Sequence, residues 1–200
     1  MTPPICSVIE LRQYTMQPGR RDELVSLFER EFIETQAAEG LHVRGIFRDA
    51  DRPDRFVWLR GCTDMAARGA GLAAFYDGPV WRRHRHAANA TMVDSSDVLL
   101  LRPLTDWPVE SASGRWQMQV FRTDAAADAV LGDAMRRSGL CWLATEPAPN
   151  NFPRHPIREG EQVVVALAPG QVVLLSPLRE ILNAPVQTLN LLPTPASPLQ

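Results

Sequence analysis

Residues 75–103, FYDGPVWRRHRHAANATMVDSSDVLLLRP, constrain this chain more than any other stretch. Asp77-Gly78 is a turn signal, and Pro79 suits the first position of a helix, where no backbone N–H is needed. Trp81, His84 and His86 follow among Arg82, Arg83 and Arg85 on a short helix. That helix is expected to run out near Asp94-Ser95-Ser96, and residues 98–101 to form a buried strand. A helix delivering the chain into such a strand closes a unit, so the preceding elements decide what the unit is.

They read as strand, helix, strand, strand. Residues 5–14 alternate, with Ile5, Ile9 and Leu11 on one side and Glu10, Arg12 and Tyr14 on the other. Pro18-Gly19 breaks the strand, and residues 20–38 make an amphipathic helix through Leu24, Leu27, Phe28 and Phe32, ended by Gly40. Residues 41–49 and 55–62 form a hairpin about a polar turn. Asp64 caps a helix through Ala74, before the Pro79 helix restarts. The order is β-α-β-β-α-β, the ferredoxin-like pattern.

If Ile9, Leu11, Val43, Phe47, Val57 and Leu59 face the helices, the opposite face carries Tyr14, His42, Phe56 and Trp58 with Glu10, Arg12, Arg44 and Arg60. An apolar patch of that kind marks an interface, and its charges need pairing once covered. Glu10 with Arg12 and Arg60 is the expected pairing.

After a linker at residues 105–115, the same order recurs without residue-level repetition. Strands are expected at 116–121, 141–145, 162–168 and 186–192, with a helix at 124–138 capped by Thr123 or Asp124. A Pro-rich loop spans 146–161, the second helix shrinks to a piece near 177–182, and the tail 194–200 is expected to fray. The fold class is therefore α+β: two tandem ferredoxin-like modules, residues 1–104 and 116–193, forming an α+β barrel, the second module degenerate.

Composition bounds function more than it directs it. The net charge of −2 argues against a nucleic-acid coat. All 21 basic residues are arginine, as a GC-rich bacterial genome would produce, although arginine also suits carboxylates and phosphates. Cys6, Cys62 and Cys141 are odd in number and far apart, which fits neither a disulfide framework nor structural zinc. The N-terminus lacks a basic segment before an apolar run, and no stretch approaches a membrane span, so a cytoplasmic protein without membrane or nucleic-acid partners is expected.

The first half resembles a NIPSNAP-type domain of the dimeric α+β barrel superfamily. Ile9-Glu10-Leu11-Arg12-Gln13-Tyr14 before Pro18-Gly19, Phe56-Val57-Trp58, Phe75-Tyr76-Asp77-Gly78-Pro79-Val80-Trp81-Arg82 and residues 94–103 carry the likeness, within residues 5–103. The resemblance implies an antiparallel sheet with helices on one face and a second sheet, normally another subunit's, on the other. A second module in the same chain departs from the single-domain form, so the barrel is completed within the chain or by homodimerisation. Relatives in the superfamily include cofactor-independent monooxygenases, dehydratases, isomerases and haem-binding enzymes, and scaffold-like roles are attributed to NIPSNAP proteins; fold alone does not choose among them.

The residues name one candidate face. His84 lies three positions after Trp81 and four after Val80, so all three share a helix face directed at the sheet. A neutral histidine there is a candidate catalytic base or ligand-orienting group; a half-buried histidine bonded to backbone is the plainer alternative. His86 is about 200° around the helix and cannot chelate a metal with His84, so no metal site and no cofactor are expected. Tyr14, Trp58, Tyr76 and Trp81 are expected to line an apolar pocket between sheet and helices, holding a small aromatic or lipophilic molecule, or else to be plain core. His42 reads as an interface hydrogen-bonder, and His155, in a Pro-rich loop, as a turn residue. Cys62 has no histidine at a recognisable spacing and is not read as a nucleophile. A non-catalytic interaction or sensing module is the alternative function.

Overall fold

Strand β1 (Val8–Met16) sits between its two hydrogen-bonded neighbours, β3 (Arg55–Cys62) and β4 (Met92–Pro103), and everything else is arranged around that trio. The computed structural model describes residues 5–108, 114–123 and 125–200, the side chains of 125–130 apart. Residues 109–113 of the expected linker, and Asp124 as an expected cap, lie outside the described residues.

Four strands of the first half, with β2 (His42–Asp49), lie in the order β4-β1-β3-β2. Strands β5 (Trp116–Arg122), β6 (Cys141–Thr145), β7 (Val163–Pro169) and β8 (Gln187–Pro193) repeat that order as β8-β5-β7-β6. The two sheets join at both edges, β2 to β8 through Phe47↔Pro193 to Asp49↔Leu191, and β4 to β6 through Leu101↔Thr145 to Pro103↔Leu143. In each junction the second strand of one half meets the fourth of the other. The result is a closed eight-stranded antiparallel barrel with approximate two-fold symmetry, made within one chain. Closure leaves no free sheet edge to template aggregation.

Helices α1 (Arg21–Glu31), α2 (Ile33–Ala38), α3 (Met65–Asp77) and α4 (Pro79–Ala90) cover the first half, and α5 (Ala125–Arg137) and the single turn α6 (Leu178–Ile181) cover the second. The helix expected over residues 20–38 breaks at Phe32, whose N–H bonds back to Phe28 while its carbonyl starts the next turn at Gln36. Asp64 does cap α3, accepting from the Ala67 N–H at 2.7 Å, and Pro79 does open α4. That helix ends at Ala90, earlier than expected, and β4 starts at Met92. Gly71 in α3 faces the Glu39 carbonyl so closely that a Cβ would collide with it, which fixes how near α3 approaches the end of α2.

The faces of the first sheet are the reverse of those read from the alternation. Ile9, Leu11, Phe47, Val57 and Leu59 point into the barrel and meet Trp116, Met118, Val165 and Leu189 of the second sheet. Tyr14, Phe56 and Trp58 point out, under the helices, with Leu24, Phe28, Phe32 and Phe75. The start of β2 keeps the expected sides, Val43 under the helices and His42 and Arg44 at the barrel mouth, because the pairing of β2 with β3 shifts register between Val43 and Gly45 and the bulge reverses the alternation beyond it. The tail does not fray. Thr194 N–H bonds to the Ile46 carbonyl, the Ser197 hydroxyl accepts from Ile46 N–H at 3.0 Å, and Leu199 is buried in the barrel core.

Candidate functional site

The site begins with residues two apart on neighbouring strands. Glu10, Arg12 and Tyr14 of β1 stand opposite Arg60, Trp58 and Phe56 of β3, so their side chains share the helix-facing surface. Burying Glu10 takes a carboxylate out of water, and three guanidiniums compensate. Arg12 Nη1 and Arg60 Nε donate to Glu10 Oε2 at 2.8 and 2.9 Å, and Arg68 Nε, from α3, donates to Oε1 at 2.6 Å. The expected pairing with Arg12 and Arg60 is thus present, beneath the helices instead of between sheets, and Arg68 joins it. Burial alone would raise the Glu10 pKa; the fields of Arg60, Arg12 and Arg68 outweigh it and hold the carboxyl well below its usual range.

The arginines then use further donors, although Arg68 Nη2 is buried with no hydrogen-bond partner among the described residues. Arg60 Nη1 reaches Gln36 Oε1 at 3.0 Å, and Arg12 Nε reaches the Tyr14 hydroxyl oxygen at 2.9 Å. Arg68 Nη1 reaches Asn151 Oδ1 at 2.7 Å and Asn150 Oδ1 at 3.1 Å, both on the loop between β6 and β7. Burial raises the Tyr14 pKa against the opposing pull of Arg12, so the phenol stays protonated. The guanidiniums of Arg60 and Arg12 lie 5.1 and 5.6 Å from the Trp58 ring centroid, within cation–π range.

Above this layer lies a cavity of about 260 Å³. Tyr14 and Trp58 supply its sheet side, Phe28, Phe32, Tyr76 and Trp81 its helix side, and Arg154, His155 and Pro156 its rim. The aromatic rings interlock, Phe28 on Trp58 at 4.7 Å and Tyr76 on Trp81 at 4.9 Å, both edge-on. Such pairs add roughly 0.5–1.5 kcal/mol each beyond their buried area, which keeps the wall rigid. All four residues expected around a pocket, Tyr14, Trp58, Tyr76 and Trp81, border this one.

His84 does not. Its Nε2 lies 3.5 Å from Glu31 Oε2, and its ring meets Phe32 edge-on at 6.4 Å, one layer outside the cavity. The face shared by Val80, Trp81 and His84 therefore divides, with Trp81 reaching the cavity and His84 turning to α1. His86 is exposed and His42 half-buried at the barrel mouth, where burial and Arg44 lower its pKa.

The imidazole that does border the cavity is His155. It stacks on Tyr76 at 4.0 Å and lies nearly parallel to Phe152 at 5.5 Å. Burial and then the positive fields of Arg12 and Arg60 push its pKa down to about 3, so it is a neutral acceptor at physiological pH. The loop holding it comes from the second half of the chain. Asn150 and Asn151 tie it to Arg68, the Asn151 amide donates to the Met65 carbonyl, and Arg154 pairs with Asp77 at 3.0 Å. Each half is thus needed to complete the cavity of the first.

A wider hollow of about 630 Å³ opens at the barrel mouth between Cys6, His42, Arg44, Trp107 and Leu199. It is bordered by Ile5 and Pro108, each next to a segment outside the described residues, and we place no site there. The cysteines are poor nucleophiles. Burial pushes Cys62 and Cys141 up to about 12 and raises Cys6 as well. Among the described residues no group of three metal-ligating side chains is gathered. No helix among them is long and apolar enough to cross a membrane.

Two ferredoxin-like sheets closed into one barrel, with a cavity under one helical layer, define an α+β barrel of the dimeric type built from a single chain. The chain belongs to the NIPSNAP family, whose model matches residues 9–108. A candidate monooxygenase from Lactobacillus acidophilus aligns over 94% of this chain and 94% of its own, at 10% identity and a TM-score of 0.63. Another, from Fusobacterium nucleatum, aligns over 96% and 94%, at 5% identity and a TM-score of 0.63. An uncharacterized NIPSNAP domain protein from Burkholderia xenovorans aligns at 16% identity and a TM-score of 0.42, over 46% of this chain and 90% of that one. At these identities the likeness concerns the fold alone. No curated protein matches the sequence.

Proposed function

We propose that this protein binds a small aromatic or lipophilic molecule in the cavity between its first sheet and the helices, and that any turnover there uses His155 as the proton acceptor. The observation that carries the reading is the cavity wall itself: interlocked rings from both the sheet and the helices, a few polar side chains such as Gln36 and Asn89, and one neutral imidazole at the rim. Ligand pockets are mostly apolar with a few placed polar groups, and this cavity of about 260 Å³ lies just below their usual range of roughly 300–1,000 Å³, which suits a small occupant. Burial and the fields of Arg12 and Arg60 make the free His155 a weak base. A proton leaving an acidic C–H or O–H of the ligand would therefore pass to it only as the ligand's developing negative charge offsets those fields, and the same arginines stabilise the anion left behind. Oxygenation is the activity named for the two candidate monooxygenases, and without a cofactor it is open only to substrates that form such a stabilised carbanion.

One observation favours the alternative of a non-catalytic sensing module. Among the described residues the His155 ring makes no side-chain hydrogen bond that would orient it as a base; it is held by stacking. A screen of quinols and aromatic acids separates the readings, scored for both binding and turnover. His84→Ala is expected to match the parent protein in both. His155→Phe is expected to bind ligand and lose turnover. Equal turnover by the His155 variant removes it from the mechanism, and binding without turnover by the parent supports the sensing module.

A further inference from the structure

We infer that the occupant of this cavity is an anion, presenting a carboxylate or enolate oxygen to Trp58 and Tyr14. The inference rests on the ligand-binding reading above and adds the charge of the ligand to it.

Charge is the first ground. Arg12, Arg60 and Arg68 are each at most 1% exposed, and the single carboxylate they share is Glu10, itself fully buried. Two positive charges are left in excess. Neither Asp nor Glu borders the cavity, and the protonated Tyr14 and neutral His155 supply no negative charge. Buried charge without a partner is costly, and a bound anion is the simplest compensation.

The unused donors are the second ground, independent of the first. Trp58 is 2% exposed and forms part of the cavity wall, yet its indole N–H has no hydrogen-bond partner among the described residues. Most buried donors in folded proteins are satisfied, so an orphan beside a cavity points to an acceptor that arrives with the ligand. Tyr14 borders the same cavity, and its oxygen accepts from Arg12 Nε; among the described residues its hydroxyl hydrogen has no acceptor, so it is available to a ligand. An oxyanion accepts both bonds and gains the field of the arginines behind Trp58. A neutral ligand takes the bonds and leaves the charge uncompensated, and a cation is repelled.

Matched probes test this on the full chain. Naphthoate and naphthamide share a ring and differ in charge, and tryptophan fluorescence or calorimetry reads their binding. Naphthoate is expected to bind at least about ten-fold more tightly, the scale of one charge-assisted hydrogen bond. Trp58→Phe is expected to weaken naphthoate more than naphthamide and so to narrow the preference, because a charge-assisted bond is lost from one and a neutral bond from the other. Tyr14→Phe, which keeps the ring and the fold, is expected to act in the same direction. Equal binding of acid and amide overturns the anion and leaves the cavity reading standing. Failure of both probes and of their single-ring counterparts, benzoate and benzamide, at millimolar concentration overturns the two together. A preference of unchanged size in both variants overturns the placement of the anion at Trp58 and Tyr14.

Discussion

Glu10→Gln is expected to lower folding stability by about 3–5 kcal/mol, the cost of breaking a buried ion pair by removing one partner. Glutamine keeps the shape and one carbonyl acceptor but leaves Arg12, Arg60 and Arg68 facing one another with no anion between them. Chemical denaturation of the purified protein reads the loss. Adding Arg60→Met to the same chain is expected to restore part of it, since one of the uncompensated charges goes too. A cost below about 1 kcal/mol for the single change would mean that the carboxylate does not hold the three guanidiniums in place.

Acid is expected to weaken the fold from about pH 6.5 downward. His155 has an ordinary pKa of 6.5 and a folded value of about 3. Between those values the unfolded chain takes up a proton that the folded chain refuses, so stability is complete above 6.5 and falls with falling pH. One refused proton corresponds to a slope of at most about 1.4 kcal/mol per pH unit. Because the ring keeps some contact with water, about 2 kcal/mol lost by pH 4.5 is the expected scale. Arg12, Arg60 and Arg154 face this ring as positive charges, Glu10 as the opposing negative one. The Glu10 carboxyl, held below its ordinary 4.5, adds a second loss of the same sign that begins only below that value. Denaturation midpoints from pH 7 to pH 3.5 resolve the two windows. His155→Gln is expected to reduce the slope between 6.5 and 4.5, the share from His42 remaining because burial and Arg44 lower its pKa too, and to leave the lower part intact.

The element order was legible because each strand and helix carries its own punctuation. Pro79, the Asp64 cap and the 141–145 strand all lie where local chemistry put them. The orientation of the first sheet was not legible, for a physical reason. Both faces of β1 are buried, one by the second sheet and one by helices, so alternation separates the faces without saying which is which. The charged residues misled because a polar face ordinarily means solvent or an interface, whereas here Glu10 neutralises part of an arginine cluster beneath helices.

Of the cavity, the aromatic members were legible, because Tyr14, Trp58, Tyr76 and Trp81 lie in or beside regular elements whose faces can be followed. His155 was not. It reaches Tyr76 from a Pro-rich loop in the other half of the chain, and no local periodicity encodes that contact. The nearest signal was the pair Asn150-Asn151 ahead of it, whose side chains here anchor the loop to Arg68. His84 drew notice because it shares a helix face with Trp81, but Phe32 stands between it and the cavity.

The central claim is that a ligand enters the cavity beneath α3 and α4 and meets the indole N–H of Trp58. Proton–nitrogen correlation spectra give one indole signal for each of the five tryptophans, so they report on the whole molecule at once. On titration with naphthoate, the Trp58 signal is expected to move most and Trp81 to follow. Trp116, bonded to the Gln200 carbonyl at 3.1 Å, and Trp142, bonded to Ser138 Oγ at 2.9 Å, are expected to stay still. Movement of Trp107 at the barrel mouth with Trp58 unmoved would contradict the account.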